Sequence, residues 1–186
     1  MKLKKNITKQ NILSYLVTAT FSLILLTSGC RKSVDSGSGA DPTDLLPPNN
    51  DISGFTKKGS PSIMTDEQSI YDAIDGAAGK YIDYGFVEGA QQMYTNGSID
   101  IDVQILNQGS EANAEGIFQD FLPSSPEWIS NNNPQAVIEH ALLTGYVIYY
   151  TRENIFMQIH TFDKSNYALN MAKQFVWNID MKITSG

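Results

Sequence analysis

The sequence predicts an α+β domain: a mainly antiparallel sheet of about five strands with helices layered on one face, in the order α-β-β-α-β-β-β-α. Three observations carry that expectation. Apolar residues recur at helical spacing in three segments, near residues 70–81, 114–122 and 168–179. Ile99, Ile101, Val103 and Ile105 alternate strictly with Asp100, Asp102 and Gln104 behind an Asn96-Gly97 turn, the pattern of a half-buried strand in a hairpin. The later strands are joined by connections of hairpin length, which favour antiparallel pairing, and one-sided helices must bury their apolar stripe against such a sheet.

At the N-terminal end, Lys2, Lys4, Lys5 and Lys9 precede an apolar run from Ile12 to Leu26, followed by Thr27-Ser28-Gly29-Cys30. A positive start, an apolar core shorter than the roughly 18 to 20 residues of a membrane-spanning helix, and small residues before a cut site make residues 1–29 a signal peptide to be removed. Ser28-Gly29-Cys30 resembles the lipobox of bacterial lipoproteins, with Thr27 where Leu is usual. The resemblance implies a diacylglyceryl group on the Cys30 thiol and Cys30 as the mature N-terminus. Cys30 is the only cysteine, so disulfides within the mature chain are excluded and stability must come from a packed core. Arg31 stands where Asp would signal inner-membrane retention in some bacteria, which points toward the outer membrane.

Charge narrows the partners. Of 13 Lys and Arg, four precede Cys30, so nine remain against 20 Asp and Glu, a formal charge of −11. Nucleic acid and anionic lipid surfaces both require clusters of Lys and Arg, and none exceeds a pair. The expected membrane contact is therefore the lipid on Cys30, with an envelope protein as a further partner and no nucleic acid.

From Cys30 to Pro61 the composition is rich in Ser, Gly, Asp, Pro and Asn, and this stretch reads as a flexible tether spanning about 30 Å. Residues 62–186 then form a single domain of ordinary size. It opens with a helix over 66–83, begun by a Thr65-x-x-Gln68 capping box and ended at Gly85. Gly76 and Gly79 interrupt that helix at about 1 kcal/mol each relative to Ala, so a close neighbour is expected against them. A hairpin follows, with strands at 87–94 and 99–105. The polar face of the second strand, Asp100 and Asp102 included, reads as solvated. Ser110 caps a second helix that Pro123 ends. Residues 123–135 form a polar loop that Trp128 pins to the domain. Strands at 136–142, 145–151 and 155–162 precede a last helix from Lys164 to Met181, which buries Ala168, Leu169, Ala172, Phe175, Val176 and Ile179.

Chemistry is thinly marked. His140 and His160 are the only histidines, and Glu139 alternates away from His140, so no metal site and no cofactor are expected. No nucleophile elbow, dinucleotide fingerprint or phosphate loop is present. The first helix, Tyr71-x-x-Ile74-Asp75-Gly76-Ala77-Ala78-x-x-Tyr81-x-x-Tyr84-Gly85-Phe86, with Ala114-Glu115-Gly116-Ile117-Phe118 further on, resembles a bacterial family, domain of unknown function 6599, over most of residues 65–182. Gly79 and Lys80 replace a commonly acidic position, and Glu115 replaces a Phe. The resemblance implies the fold and carries no activity.

Tyr71, Asp75, Tyr81 and Tyr84 are the candidate ligand-binding residues, with Asp75 on the flank of the apolar face beside an aromatic wall. No residue is assigned as catalytic. Three functional readings follow: a lipid-anchored envelope protein acting as a non-catalytic interaction or accessory module; a small-molecule or lipid binder with its site near Tyr71, Asp75 and Tyr81; and an enzyme pairing Asp75 with a tyrosine.

Overall fold

The computed structural model describes residues 40–140 and 142–185, apart from the side chain of Asp75. The signal segment, Cys30 and the start of the tether lie outside the described residues. The fold is α+β, as expected, with an entirely antiparallel sheet. Eight strands are paired rather than five: β1 (Thr56–Lys57), β2 (Ser62–Met64), β3 (Glu88–Thr95), β4 (Asp100–Asn107), β5 (Glu127–Asn131), β6 (Gln135–Glu139), β7 (Val147–Arg152) and β8 (Ile155–Thr161). Their order is β1-β3-β4-β8-β7-β6-β5, and β2 pairs with β3 beside β1.

The extra strands come from two segments whose composition conceals them. The supposed tether is structured from Pro42 onward: a short helix α1 (Pro42–Leu45) leads into β1 and β2. Leu45, Leu46, Ile52 and Phe55 are buried in the core, and the Tyr94 hydroxyl donates to the Pro47 carbonyl at 2.8 Å. A flexible tether up to Pro61 is therefore incorrect, because these apolar side chains close one end of the core. The loop expected over 123–135 contains β5, whose Trp128 ring lies 6.2 Å from that of Phe118.

The first helix runs as α2 (Glu67–Ile74), a 3₁₀ turn (Asp75–Ala77) and α3 (Ala78–Asp83). Its cap is one residue later than the Thr65 box. The Asp66 carboxylate accepts from the Ser69 amide at 2.8 Å, and the Ser69 hydroxyl accepts from the Asp66 amide at 3.0 Å. At the other end Gly85 takes φ +79°, the Phe86 amide donates to the Tyr81 carbonyl and the Gly85 amide to that of Ile82, a Schellman stop. Nothing lies within 4 Å of a Cβ built on Gly76, so the close packing expected there is absent. The β3–β4 turn also differs from a type I′ turn. Asn96 has no positive φ; its side-chain oxygen accepts from the Ser98 and Ile99 amides, and only Gly97 is left-handed.

Helix α4 (Glu111–Asp120) starts at the expected cap, with the Ser110 hydroxyl accepting from the Asn113 amide. Helix α5 (Asn166–Ser185) buries every apolar residue expected of it, and Ile183 as well. The layering differs from the expectation. Alternate residues of β8 enter different clusters: Ile155, Met157 and Ile159 meet α5 and the α1 segment, while Phe156 meets α2, α3 and α4. The sheet is thus covered on both faces, because four apolar helical stripes exceed what one face can bury.

Candidate functional site

Sheet register decides what α2, α3 and α4 cover. Along β4, Asp102, Gln104 and Leu106 share one face. Opposite Gln104 stand Gln91 on β3 and Gln158 on β8, and Tyr149 on β7 stands opposite Gln158. These four residues form one cross-strand row. Asp102 and His160 form the next row, opposite each other, and Leu106 with Phe156 forms an apolar row on the other side. Ala78, Tyr81, Ile117 and Phe118 pack onto the apolar row.

Over the polar rows the helices leave a pocket of about 410 Å³. Its roof is Ala73, Ile74 and Ala77, its walls Tyr81, Phe121 and Tyr149, and its floor Gln91, Asp102, Gln104, Gln158 and His160. The wall rings are mutually stacked or tilted, Tyr81 on Phe121 at 5.9 Å and Phe121 on Tyr149 at 5.2 Å. The floor carries two short chains of hydrogen bonds. Gln91 Nε2 donates to Asp102 Oδ2 at 2.7 Å. Gln158 Nε2 donates to the Tyr81 hydroxyl at 2.6 Å, and Gln158 Oε1 lies 3.0 Å from His160 Nε2, so an Nε2-protonated ring donates to it. Gln104 is 5% exposed and its side chain makes no hydrogen bond among the described residues.

Burial dominates the electrostatics. It pushes the Asp102 carboxyl above the ordinary carboxylate value, against the opposing pull of the Gln91 hydrogen bond and of His160. Burial lowers His160, with Asp102 opposing. It raises the Tyr81 phenol to about 12, and it raises Tyr149 with a further push from Glu139. The pocket lining has no Ser, Thr, Cys, Lys or Arg. It is equipped with hydrogen-bonding groups, aromatic rings, one imidazole and one carboxylate.

The expected site residues are dispersed. Tyr81 borders the pocket. Tyr71 is 48% exposed, with its hydroxyl 3.6 Å from a Cβ built on Gly79. The Tyr84 ring packs on Gly116 of α4, where an added Cβ would meet it at 2.7 Å, and its hydrogen bond with Asp120 raises its pKa. Neither Tyr71 nor Tyr84 lines the pocket. Asp75 contributes its backbone to the 3₁₀ turn, and its side chain lies outside the described features. The solvated reading of the strand's polar face is incorrect for Asp102, which is 9% exposed, while Asp100 pairs with Lys58 at 2.7 Å. His140 contacts Glu127 at 2.7 Å. Among the described residues no group of three or more His, Cys, Asp or Glu is placed to hold a metal ion.

Comparison with protein-family models finds no match, and comparison with curated proteins finds none. Among solved structures, the chain is similar to the extracellular domain of PknH from Mycobacterium tuberculosis. The TM-score is 0.49 at 11% identity, over 77% of this chain and 98% of that one.

Proposed function

We propose that this protein is a ligand-binding domain of the bacterial cell envelope, attached to a membrane, toward the outer one, by lipid on Cys30, and that it binds a small molecule without transforming it. The pocket above Gln91, Gln104 and Gln158 carries this reading. A buried polar floor beside stacked aromatic rings is how proteins orient small polar ligands. No helix among the described residues is long and apolar enough to cross a membrane; the assignment of attachment to lipid rests on the lipobox-like Ser28-Gly29-Cys30. The resemblance to domain of unknown function 6599 enters this reading only as a proposed kinship.

Two measurements test it. Cys30→Ser should release the protein from membranes and abolish incorporation of labelled fatty acid; retention of the variant on membranes would refute the anchor. Ala77→Trp places a bulky ring in the roof of the pocket, at an exposed position. It should leave the melting temperature within a few degrees while removing the thermal shifts that a library of small metabolites gives the unsubstituted protein. Identical shifts in both proteins would refute the pocket.

A second reading, contact with an envelope protein partner, has its own support. Leu143 is 93% exposed on the β6–β7 loop, and Phe162 is exposed after β8. Lys164 ties these connections together by donating to the His140 and Leu142 carbonyls. Exposed apolar residues on braced loops suit a protein contact.

A further inference from the structure

The pocket's charge balance narrows the class of ligand, and the inference that follows rests on the binding reading above. Asp102 brings a formal negative charge to a floor without Lys or Arg. Its Oδ2 accepts from Gln91, and His160, its neighbour across the strands, is held toward its neutral form by burial. Lys80, a nearby cation, is used elsewhere: its Nζ lies 3.7 Å from the Asp120 carboxylate, donates to the Asp120 carbonyl at 3.2 Å and sits 4.2 Å from the Phe121 ring centroid. A buried carboxylate with neutral hydrogen-bond partners and no cation is under-compensated.

The remaining groups suit the same missing partner. Gln104 offers a carbonyl oxygen that no protein donor occupies. Tyr81 and Tyr149 supply aromatic rings, whose faces attract cations, and Phe121, whose ring already carries Lys80, supplies apolar surface. A neutral polyol would satisfy the amides and leave the carboxylate uncompensated. An anion would meet Asp102 with no Lys or Arg and only the buried His160 to offset it. The acidic chain, −7 overall, favours the approach of cations.

We propose that the pocket binds a small organic cation bearing a primary ammonium group, with Asp102 as its counter-ion, Gln104 as an acceptor of its N–H and the Tyr81, Phe121 and Tyr149 rings around its apolar part. Asp102 and Gln104 are then the specificity-determining residues. The Gln158–Tyr81 hydrogen bond holds the wall against the floor.

The test is calorimetric titration of the full-length protein in detergent at pH 7.5 with three probes of one shape: benzylamine, benzyl alcohol and benzoate. Glucose serves as a neutral polyol. Benzylamine should bind saturably at one site, at least tenfold more tightly than benzyl alcohol, with no heat from benzoate. Asp102→Asn should bring benzylamine down to the level of the alcohol, and Ala77→Trp should remove both. The amine-to-alcohol ratio in the unsubstituted protein decides the matter even if Asp102→Asn folds poorly. Glucose or benzyl alcohol binding as tightly as benzylamine, with Ala77→Trp removing it, would overturn the cation assignment and leave the pocket standing. Saturable binding by none of the four probes would overturn the cation assignment, and Ala77→Trp leaving the metabolite shifts unchanged would overturn the pocket.

Discussion

Replacing Phe55 by Ala should unfold this protein far more readily than any change in a flexible leader could. The Phe55 side chain is 1% exposed, its ring meets that of Phe175 edge-on at 5.4 Å, and Tyr94 lies 4.9 Å from the same Phe175 ring. Truncation removes an aromatic ring and leaves a cavity that its neighbours in β3 and α5 can fill only in part, a loss of about 3 to 5 kcal/mol. With a urea slope of about 2 kcal/mol per molar for a domain of this size, the unfolding midpoint should fall by about 1.5 to 2.5 M. The assay is equilibrium urea unfolding of the full chain followed by tryptophan fluorescence. Leu143→Ala, at a fully solvated side chain, is the control and should stay within about 0.5 kcal/mol. If Phe55→Ala and Leu143→Ala unfolded at the same midpoint, residues 42–58 would not belong to the folded core, and the assignment of α1, β1 and β2 would fail with them.

Other substitutions test other parts of the fold. Asp102→Asn reads the buried carboxylate: because burial raises its pKa above the ordinary 3.8, the stability tied to its protonation is present in acid and is lost as the pH climbs through the folded-state value. The variant should therefore gain melting temperature over the parent as the pH rises from 4 to 7, and a constant difference would refute the burial argument. Gly76→Ala should stabilise by about 0.5 to 1 kcal/mol, since an added methyl group meets nothing and the helical backbone favours Ala; a lower melting temperature would show that something does pack there. Gly145→Ala should cost about 3 kcal/mol or more, because its Cβ would stand 1.9 Å from the Thr161 carbonyl oxygen, a backbone atom with little room to yield. Gln104→Leu should raise the urea midpoint, replacing an amide that lacks a partner by an apolar side chain worth about 1 to 2 kcal/mol there, while it weakens benzylamine binding. A fall in the midpoint would mean that Gln104 holds the fold.

The helices were legible because periodic apolar residues leave a clear signal. Every residue expected on the buried face of α5, from Ala168 to Ile179, is buried, and Ser110 and Gly85 stand where capping chemistry requires them. The segment 40–58 was not legible. Leu45, Leu46, Ile52 and Phe55 follow no period among Pro, Asn, Asp and Gly, and only the core formed by distant strands gives them a place to go. Strand β5, Glu127-Trp128-Ile129-Ser130-Asn131, lacks alternation and was hidden for the same reason. The second covered face did leave a trace in the sequence. Ile155-Phe156-Met157 is apolar at consecutive positions, which a strand buried on one side does not need. Taken seriously, that run places Asp102, Gln104 and Gln158 in a covered layer and turns attention from Tyr71 and Tyr84 to the sheet floor.

The energetics of that floor are the strongest reason to read it as functional. The same strands show that an apolar solution was available: one row away, Leu106 and Phe156 fill the face with hydrocarbon beneath Tyr81 and Phe118. Some buried polar groups elsewhere in the fold are stitched into place. Asn107 Oδ1 accepts from Asn154 Nδ2 at 2.7 Å and from the Gly109 amide at 2.8 Å, while its Nδ2 donates to Glu88, and this closed network joins two loops. Others, Gln108 and the side-chain oxygens of Gln92 and Asn178, are buried without a partner and border no part of the pocket. Gln104 and Asp102 differ from both, since their polar groups without a protein partner open into a space large enough for a small molecule. A sequence that keeps such groups where hydrocarbon would fit forgoes apolar burial for something the empty fold does not use, and a ligand that completes their hydrogen bonds and balances the carboxylate accounts for that choice.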